Sequence, residues 1–220
     1  MGNEFWAAVT GAVVGGGIAF IIQLVILWET ARQRRNEKDE RRQALGHALL
    51  FKMIKIHSNL HGFAQHVEER FAEAERDGFE GEPWQIYLPL ANTPAPVHFS
   101  TDEMAMLLSL KDDDLFNNIV SFDAVHNGTI EIFQTLNERR QVLTAELPAK
   151  MDGAKGETVL TPEQLLFVEP KMVEVNMLVN SAREWCRTED PNARTLLTRL
   201  HAVLKDRVGL TIEISFKSDE

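Results

Sequence analysis

Residues 5–28 read FWAAVTGAVVGGGIAFIIQLVILW, an uninterrupted run without a single charged side chain. As an α-helix this run spans roughly 36 Å, somewhat more than the ~30 Å hydrocarbon core of a bilayer, and a tilt accommodates the difference. Aromatic residues at both ends suit the two membrane interfaces. The run therefore predicts a transmembrane helix over residues 5–28, preceded by a short external N-terminus of residues 1–4.

Two other readings of this run are less consistent with its flanks. A signal peptide has a basic start and a shorter apolar segment, whereas this chain begins MGNE and lacks a small-residue cleavage pattern. A buried helix of a soluble domain remains the alternative. We expect a retained anchor.

Basic residues lie on one side of the run only. Residues 31–44 hold six basic residues against three acidic ones, and no Lys or Arg precedes residue 32. The positive-inside rule then places the large domain in the cytoplasm and the N-terminus outside, which predicts a single-pass protein of a bacterial inner membrane. We expect four basic side chains to lie near anionic lipid headgroups: Arg32, Arg34, Arg35 and Lys38.

Small residues recur every four positions within the run. They form a stripe on which helix backbones can approach closely, and a second small stripe runs beside it. The stripe predicts self-association of the membrane helix, as a dimer or a ring. Its members are Ala7, Gly11, Gly15, Ala19 and the polar Gln23.

The rest of the chain predicts an all-α protein with a small β appendage. Residues 29–44 continue the membrane helix as a charged helical stalk, and residues 45–220 form an antiparallel helical bundle in the cytoplasm. This body carries a net charge of −11, which makes nucleic acid an unlikely partner. Apolar stripes mark two core-facing helices: Met53, Ile56, Leu60, Phe63 and Val67 in the first, and Leu115, Ile119, Phe122, His126, Thr129, Phe133 and Leu136 in the second.

Capping residues and prolines predict where the helices begin and end. Capping boxes begin at Ser100 and Thr161, Asp112 begins a long helix, and the first helix ends near 77–78. The later boundaries are a break or kink at Pro170, a new helix from Pro191 and a stop at Gly209. Alternation of apolar and polar residues predicts a strand over 210–216, which can pair with residues 84–90 as the β appendage.

Three histidines are candidate metal ligands. His57 and His61 are four residues apart and share a helix face, near Glu68, and His126 lies on the apolar stripe of another helix. Such residues are more often surface histidines and a hydrogen-bonded core histidine, and the chain lacks an HExxH motif and a cysteine cluster. We expect no metal and no other cofactor.

Two arginine–histidine pairs are candidate catalytic residues. They are RQALGH, from Arg42 to His47, and RTLLTRLH, from Arg194 to His201. This spacing resembles the motif of HEPN-type ribonucleases, helical proteins that cleave RNA with such a pair in a dimer cleft. The resemblance implies a membrane-tethered ribonuclease or an accessory protein of an RNA-guided defence system. A solvated helix face is the alternative for each pair.

No nucleophile arrangement or phosphate loop accompanies these candidates. Cys186, the single cysteine, fits a reducing compartment and lies beside Trp185 in a pattern typical of a buried, inert thiol. We therefore expect a membrane-anchored scaffold, regulator or oligomeric membrane effector rather than an enzyme. Its expected partners are membrane lipid, further copies of itself and an unidentified protein.

Overall fold

The structure, a computed structural model, describes residues 2–147, 149–152 and 155–216, with only the backbone described for 2–19, 149–152 and 155–158. Three long helices dominate it. The elements in chain order are α1 (Gly2–Arg76), α2 (Pro83–Ile86), α3 (Thr101–Ser109), α4 (Asp113–Glu146), β1 (Ala149–Asp152), β2 (Lys155–Thr158) and α5 (Pro162–Val208).

Helix α1 is one continuous helix of 75 residues. Its described residues from Phe20 to Arg41 are exposed, apart from a half-buried Thr30, and it enters the core at Gly46. The length before the core is roughly 60 Å at 1.5 Å per residue. Gly78 adopts a positive φ of 66° just after the last turn, which confirms the predicted helix end. The predicted continuation into a helical stalk agrees with this geometry.

The chain between α1 and α4 returns along the length of the bundle. Trp84 lies beside Arg140 near one end, Val97 bonds to Asn127 near the middle, and Asp102 pairs with Arg41 at the other end. This segment brings the chain back to the stalk end of the bundle, where α4 begins. As a result α1 and α4 run parallel, and α5 is antiparallel to both.

Apolar side chains form two separate cores along the bundle. The predicted stripes are confirmed, because every member of both stripes is buried. The first core joins residues 49–60 of α1 to α3, the start of α4 and the end of α5; the second joins residues 63–67 of α1 to α2, the end of α4 and the start of α5. The largest fully buried side chains are Tyr87, Phe133, Leu49, Leu50, Met53 and Ile56.

An ion-pair cluster joins α1 to α5 beside the second core. Glu68 accepts hydrogen bonds of 2.7–3.1 Å from both Arg183 and Arg187. The Arg183 guanidinium also lies 4.0 Å from the ring of Phe71. The hydrogen bonds from Arg183, reinforced by Arg187, lower the pKa of Glu68 to about 2. This carboxylate therefore stays ionised at neutral pH and holds two arginines of α5 against α1.

The predicted helix caps are confirmed. Reciprocal capping boxes form at Ser100 with Glu103 and at Thr161 with Gln164. The side chain of Asp112 accepts from the backbone N–H of Leu115 at 3.0 Å.

The prediction that a new helix begins at Pro191 is wrong. Helix α5 runs from Pro162 to Val208 with both Pro170 and Pro191 inside it. A proline removes one backbone hydrogen bond and costs about 3 kcal/mol in a helix interior. Buried side chains on both sides of each proline offset that cost, since Val168 and Val175 flank the first and Cys186 and Ala193 flank the second.

The predicted β appendage is wrong. Residues 83–86 form the helical turn α2, started by Pro83 and a capping box between Glu82 and Gln85. Residues 209–216 form no strand, although their exposure alternates as predicted, with Ile212, Ile214 and Phe216 half-buried. Instead β1 and β2 form a two-stranded antiparallel hairpin between α4 and α5.

No helix within the described part of the chain is long and apolar enough to cross a membrane. The side chains of four small residues in the predicted packing stripe lie outside the described residues: Ala7, Gly11, Gly15 and Ala19. Gln23, the polar end of that stripe, is described and is exposed on α1.

Two glycines should respond in opposite directions to alanine. Gly209 ends α5 with φ 75°, a conformation that costs an L-residue about 1 kcal/mol, so Gly209→Ala should lower the free energy of unfolding by that amount. Gly62 lies inside α1 and has open space where the added methyl group would lie, so Gly62→Ala should raise it by about 0.5–1 kcal/mol. Thermal and urea unfolding of the full chain in neutral detergent measures both changes. Equal changes in the free energy of unfolding would contradict the left-handed conformation of Gly209 or the helical conformation of Gly62.

Candidate functional site

A layer of polar side chains separates the two apolar cores. We call it the polar layer, and each of its members contacts another member across or along the helices. It consists of His57, Asn59 and His61 from α1, His126, Asn127 and Thr129 from α4, and Trp185 and Asp190 from α5.

His126 is fully buried at the centre of this layer. Its Nε2 lies 3.0 Å from Nδ2 of Asn59, and its Nδ1 lies 3.1 Å from Oδ1 of Asn127. An amide NH2 donates and an amide oxygen accepts, so these partners select a neutral imidazole that carries its proton on Nδ1. Burial lowers the pKa of His126 and favours the same neutral form.

Asn127 extends the network to the returning chain segment. Its Nδ2 donates to the carbonyl of Val97 at 3.1 Å, and its Oδ1 accepts from the N–H of Val97 at 3.2 Å. The side-chain amide of Asn127 thus pairs with the backbone of Val97 as a second peptide group would, and this fixes the loop before α3. On the other side of the layer, Nε1 of Trp185 donates to Oγ1 of Thr129 at 2.8 Å, and this hydroxyl donates to the carbonyl of Val125.

The two candidate histidines of α1 meet Asp190 of α5. Nδ1 of His61 lies 3.0 Å from Oδ2 of Asp190, and Nε2 of His57 lies 3.8 Å from Oδ1. The two imidazole rings stack with centroids 5.9 Å apart. Burial lowers the pKa of His57, and the opposing effect of Asp190 is smaller.

The candidate metal set is not assembled as predicted. His57 and His61 share the carboxylate of Asp190, whereas His126 is bonded to two asparagines, and Glu68 is bonded to two arginines. Among the residues that the structure describes, no group of three or more His, Cys, Asp or Glu side chains is arranged to hold a metal ion.

The arginine–histidine pair at the end of α5 contacts the C-terminal segment, residues 209–216. The Arg194 guanidinium lies 4.9 Å from the ring of Phe216, and the edge of the same ring faces His57 at 5.6 Å. Nε2 of His201 lies 2.6 Å from the carbonyl oxygen of Ile212. Both candidates thus hold this segment against the bundle, and the ribonuclease alternative stays a prediction from spacing alone.

The other pair, Arg42 and His47, lies where the stalk meets the bundle. Both side chains are half-buried. The Nε atom of Arg42 is buried without a hydrogen-bond partner among the described residues. Arg42 lines a cavity of about 300 Å³ between the stalk and α3, which we call the stalk cavity; its lining includes Lys38, Arg41, Leu45, Asp102 and Met106.

A second cavity, of about 380 Å³, lies between α4 and α5. Its walls carry amide and hydroxyl groups from Asn118, Ser121, Asn192 and Thr195. Arg199 at its edge is already paired with Asp112 at 2.8 Å.

Cys186 is buried in the second core, as its sequence context predicts. Burial raises the pKa of its thiol to about 12. The thiolate needed for nucleophilic or redox chemistry is therefore absent at neutral pH.

Eight apolar side chains between Phe20 and Trp28, interrupted only by the polar Gln23, are exposed just before the stalk. The exposed fractions run from 50% at Leu24 to 66% at Trp28, and Phe20 stands at 61%. Nine successive helical residues cover every side of the helix, so the exposure surrounds it rather than forming one stripe. The guanidinium of Arg32 lies 5.8 Å from the Trp28 ring at the end of this segment.

Several residues of the polar layer are not among the candidates that the sequence predicts. Asn59 lies between Ile56 and Leu60 on the apolar face of α1. An asparagine at such a position indicates a buried polar contact. The sequence predicts Asp190 at a helix start, because Pro191 follows it. The pairing of Trp185 with Thr129 has no signal in the local pattern.

Comparisons of the chain with protein-family models, with curated proteins and with solved structures found no significant match.

Acid should destabilise the fold through His126. Its folded-state pKa is lowered, so the unfolded chain binds the extra proton first, and the free energy of unfolding falls as the pH drops below the ordinary value of 6.5. His57 contributes with the same sign. His126→Gln keeps amide hydrogen-bonding groups but cannot titrate.

Urea unfolding of the full chain at pH 7.5 and at pH 5.5, roughly one unit either side of the free imidazole pKa, measures this effect. The loss of stability on acidification should be smaller in His126→Gln than in the wild type. His47→Gln, which changes a half-buried histidine outside the layer, serves as the matched control. An unchanged pH dependence in His126→Gln would contradict the role assigned to His126.

Proposed function

We propose that this chain is a single-pass membrane protein of a bacterial inner membrane. Its N-terminus lies outside and its helical bundle lies in the cytoplasm. It acts by self-association, as a scaffold, regulator or oligomeric membrane effector rather than as an enzyme.

The observation that carries the proposal is the exposure of residues 20–28 on all sides of α1. A helix that docks on a protein partner exposes one apolar stripe, whereas these side chains need apolar surroundings in every direction. A lipid bilayer provides such surroundings. In the sequence this segment continues an uncharged run back to Phe5, which is long enough for a span.

The stalk supports the proposed orientation. Arg32, Arg34, Arg35 and Lys38 are exposed on α1 within the first turns after Trp28. None of these four side chains forms an ion pair among the described residues. They lie about 6–15 Å along the helix beyond Trp28, so anionic headgroups attract Arg32 most strongly and Lys38 least, and their excess on this side favours a cytoplasmic bundle.

Self-association is supported by an exposed apolar stripe on α5 as well as by the small residues of the anchor. Leu166, Val173 and Met177 are 51–73% exposed and follow a four- and three-residue spacing with Pro170. This face is opposite the buried side chains of Val168 and Val175. Copies anchored in one membrane share an orientation and a high local concentration, so a second copy is the proposed occupant.

The continuity of α1 supports a role as a scaffold, regulator or oligomeric membrane effector. One helix joins the exposed apolar segment to both cores of the bundle, so a shift of the anchor moves the cores directly. The polar layer holds its histidines in contacts with Asn59, Asn127 and Asp190, which leaves them in structural roles.

Membrane insertion should depend on the apolar segment of α1. Leu24→Arg places a charge in the proposed span, which costs about 2.5–3.5 kcal/mol at the centre of a span and less near its end, so the fraction of full-length chain that floats with phosphatidylcholine vesicles should fall. Val120→Arg makes the same change at a similarly exposed site on α4 and should float as the wild type does. Equal flotation of the two variants would remove the anchor proposal.

Self-association should depend on the small residues of the anchor. Gly11→Leu combined with Gly15→Leu adds bulk where helix backbones are proposed to approach, so crosslinked oligomers in detergent should decrease at least severalfold. Val9→Leu combined with Val13→Leu changes two positions at the same spacing on the opposite side of the helix from that stripe. Oligomers that persist in the glycine variant, or that are lost equally in the control, would refute this packing.

A further inference from the structure

We propose that the stalk cavity binds a phosphate group that carries an apolar substituent, such as an aryl or acyl phosphate ester. The cavity lies between the last turns of the stalk and α3, within the part of the chain whose side chains are described. It is a shallow cavity, largely open to solvent, with a volume of about 300 Å³.

Cationic side chains surround this cavity. Lys38, Arg41 and Arg42 line it together with one acid, Asp102, so the lining carries a net charge of +2. Arg41 is held by Asp102 at 2.9 Å. The side chains of Lys38 and Arg42 form no ion pair or hydrogen bond with any described residue, which leaves two cations available to an anion.

Arg42 is the central residue of this site. Its side chain is half-buried and its Nε atom is fully buried without a partner among the described residues. The two terminal NH2 groups of Arg42 are not among the buried unpartnered atoms and form no hydrogen bond with a described residue, so they can donate to an anion in the cavity. Arginine also matches the geometry of phosphate oxygens, since two parallel N–H groups can donate to two of them.

The floor of the cavity is apolar. Leu45 is half-buried, Met106 is 4% exposed, Ala105 also lines the cavity, and Ser109 adds one hydroxyl group. Inorganic phosphate would leave this floor uncovered, whereas the apolar part of an ester removes it from water. The site therefore favours a phosphate ester over a free inorganic anion.

The ligand has two possible sources that share this chemistry. Lys38 lies ten residues beyond Trp28, which is about 15 Å along the helix, whereas the headgroup layer adds only about 5–8 Å to each side of the hydrocarbon core. A soluble ester reaches the cavity freely, and a lipid headgroup reaches it only if the stalk tilts toward the membrane. The lipid source, unlike the soluble one, rests on the proposed membrane anchor.

Equilibrium dialysis of the full chain in an uncharged detergent tests the soluble source, with 4-nitrophenyl phosphate as the probe. The wild type should bind it, and Arg42→Gln should weaken binding by about tenfold, the loss expected for one charge-assisted contact. Lys38→Gln, at an exposed position that cannot disturb the core, should weaken it as well. Arg35→Gln removes the same charge from the stalk outside the cavity and should leave binding unchanged.

Flotation with phosphatidylcholine vesicles, with and without added phosphatidylglycerol, tests the lipid source with the same four proteins. A gain from the anionic lipid that Arg42→Gln abolishes, and that Arg35→Gln only reduces as one of several membrane-facing charges, supports a lipid headgroup as ligand. Dialysis binding with the same dependence on Arg42 supports a soluble ester.

The site is overturned if neither probe binds, or if Arg35→Gln and Arg42→Gln reduce binding equally, because general charge attraction then explains the data. Failure of the wild type to float with phosphatidylcholine alone overturns the anchor instead. The dialysis arm is independent of that result.

Discussion

The antiparallel pairing of α1 with α5 is the interaction on which the rest of this structure depends. Both apolar cores are built around it, and α2, α3 and α4 pack against the two helices. Two polar contacts fix its register: Glu68 holds Arg183 and Arg187, and Asp190 holds His61. A slip by one helical turn would leave Glu68 with at most one of its two arginines and Asp190 with at most one of its two histidines, so polar contacts as well as apolar fit specify the pairing.

Local signals in the sequence are sufficient to locate most of the helices. Capping residues such as Ser100, Thr161 and Gly209 act through the adjacent backbone, so their effect is readable without the fold. The apolar stripes are readable for the same reason, since a period near 3.6 reports one buried face. The effect of Pro191 is not readable locally, because it depends on burial by distant residues, and only the tertiary structure shows that compensation.

The predicted β appendage and the polar layer both show that a sequence pattern does not identify the partner of a buried residue. Residues 210–216 do alternate in exposure, yet their side chains pack on α1 and α5 rather than their backbone pairing with another strand. The sequence identifies His126 as a core histidine, but its partners Asn59 and Asn127 are 67 residues and one residue away along the chain. Alternation and spacing report which face is buried, and they carry no information on what covers it.

The division of the core by the polar layer has a consequence for how the bundle opens. Each half buries its own apolar surface, and at the level between them the helices are joined by side-chain hydrogen bonds, such as Asn59 to His126 and Trp185 to Thr129. Pro191 removes one backbone hydrogen bond from α5 close to Asp190, at the level where the two halves meet. We therefore expect the half farther from the stalk to exchange its amide protons with solvent more readily than the nearer half, although α1, α4 and α5 run through both.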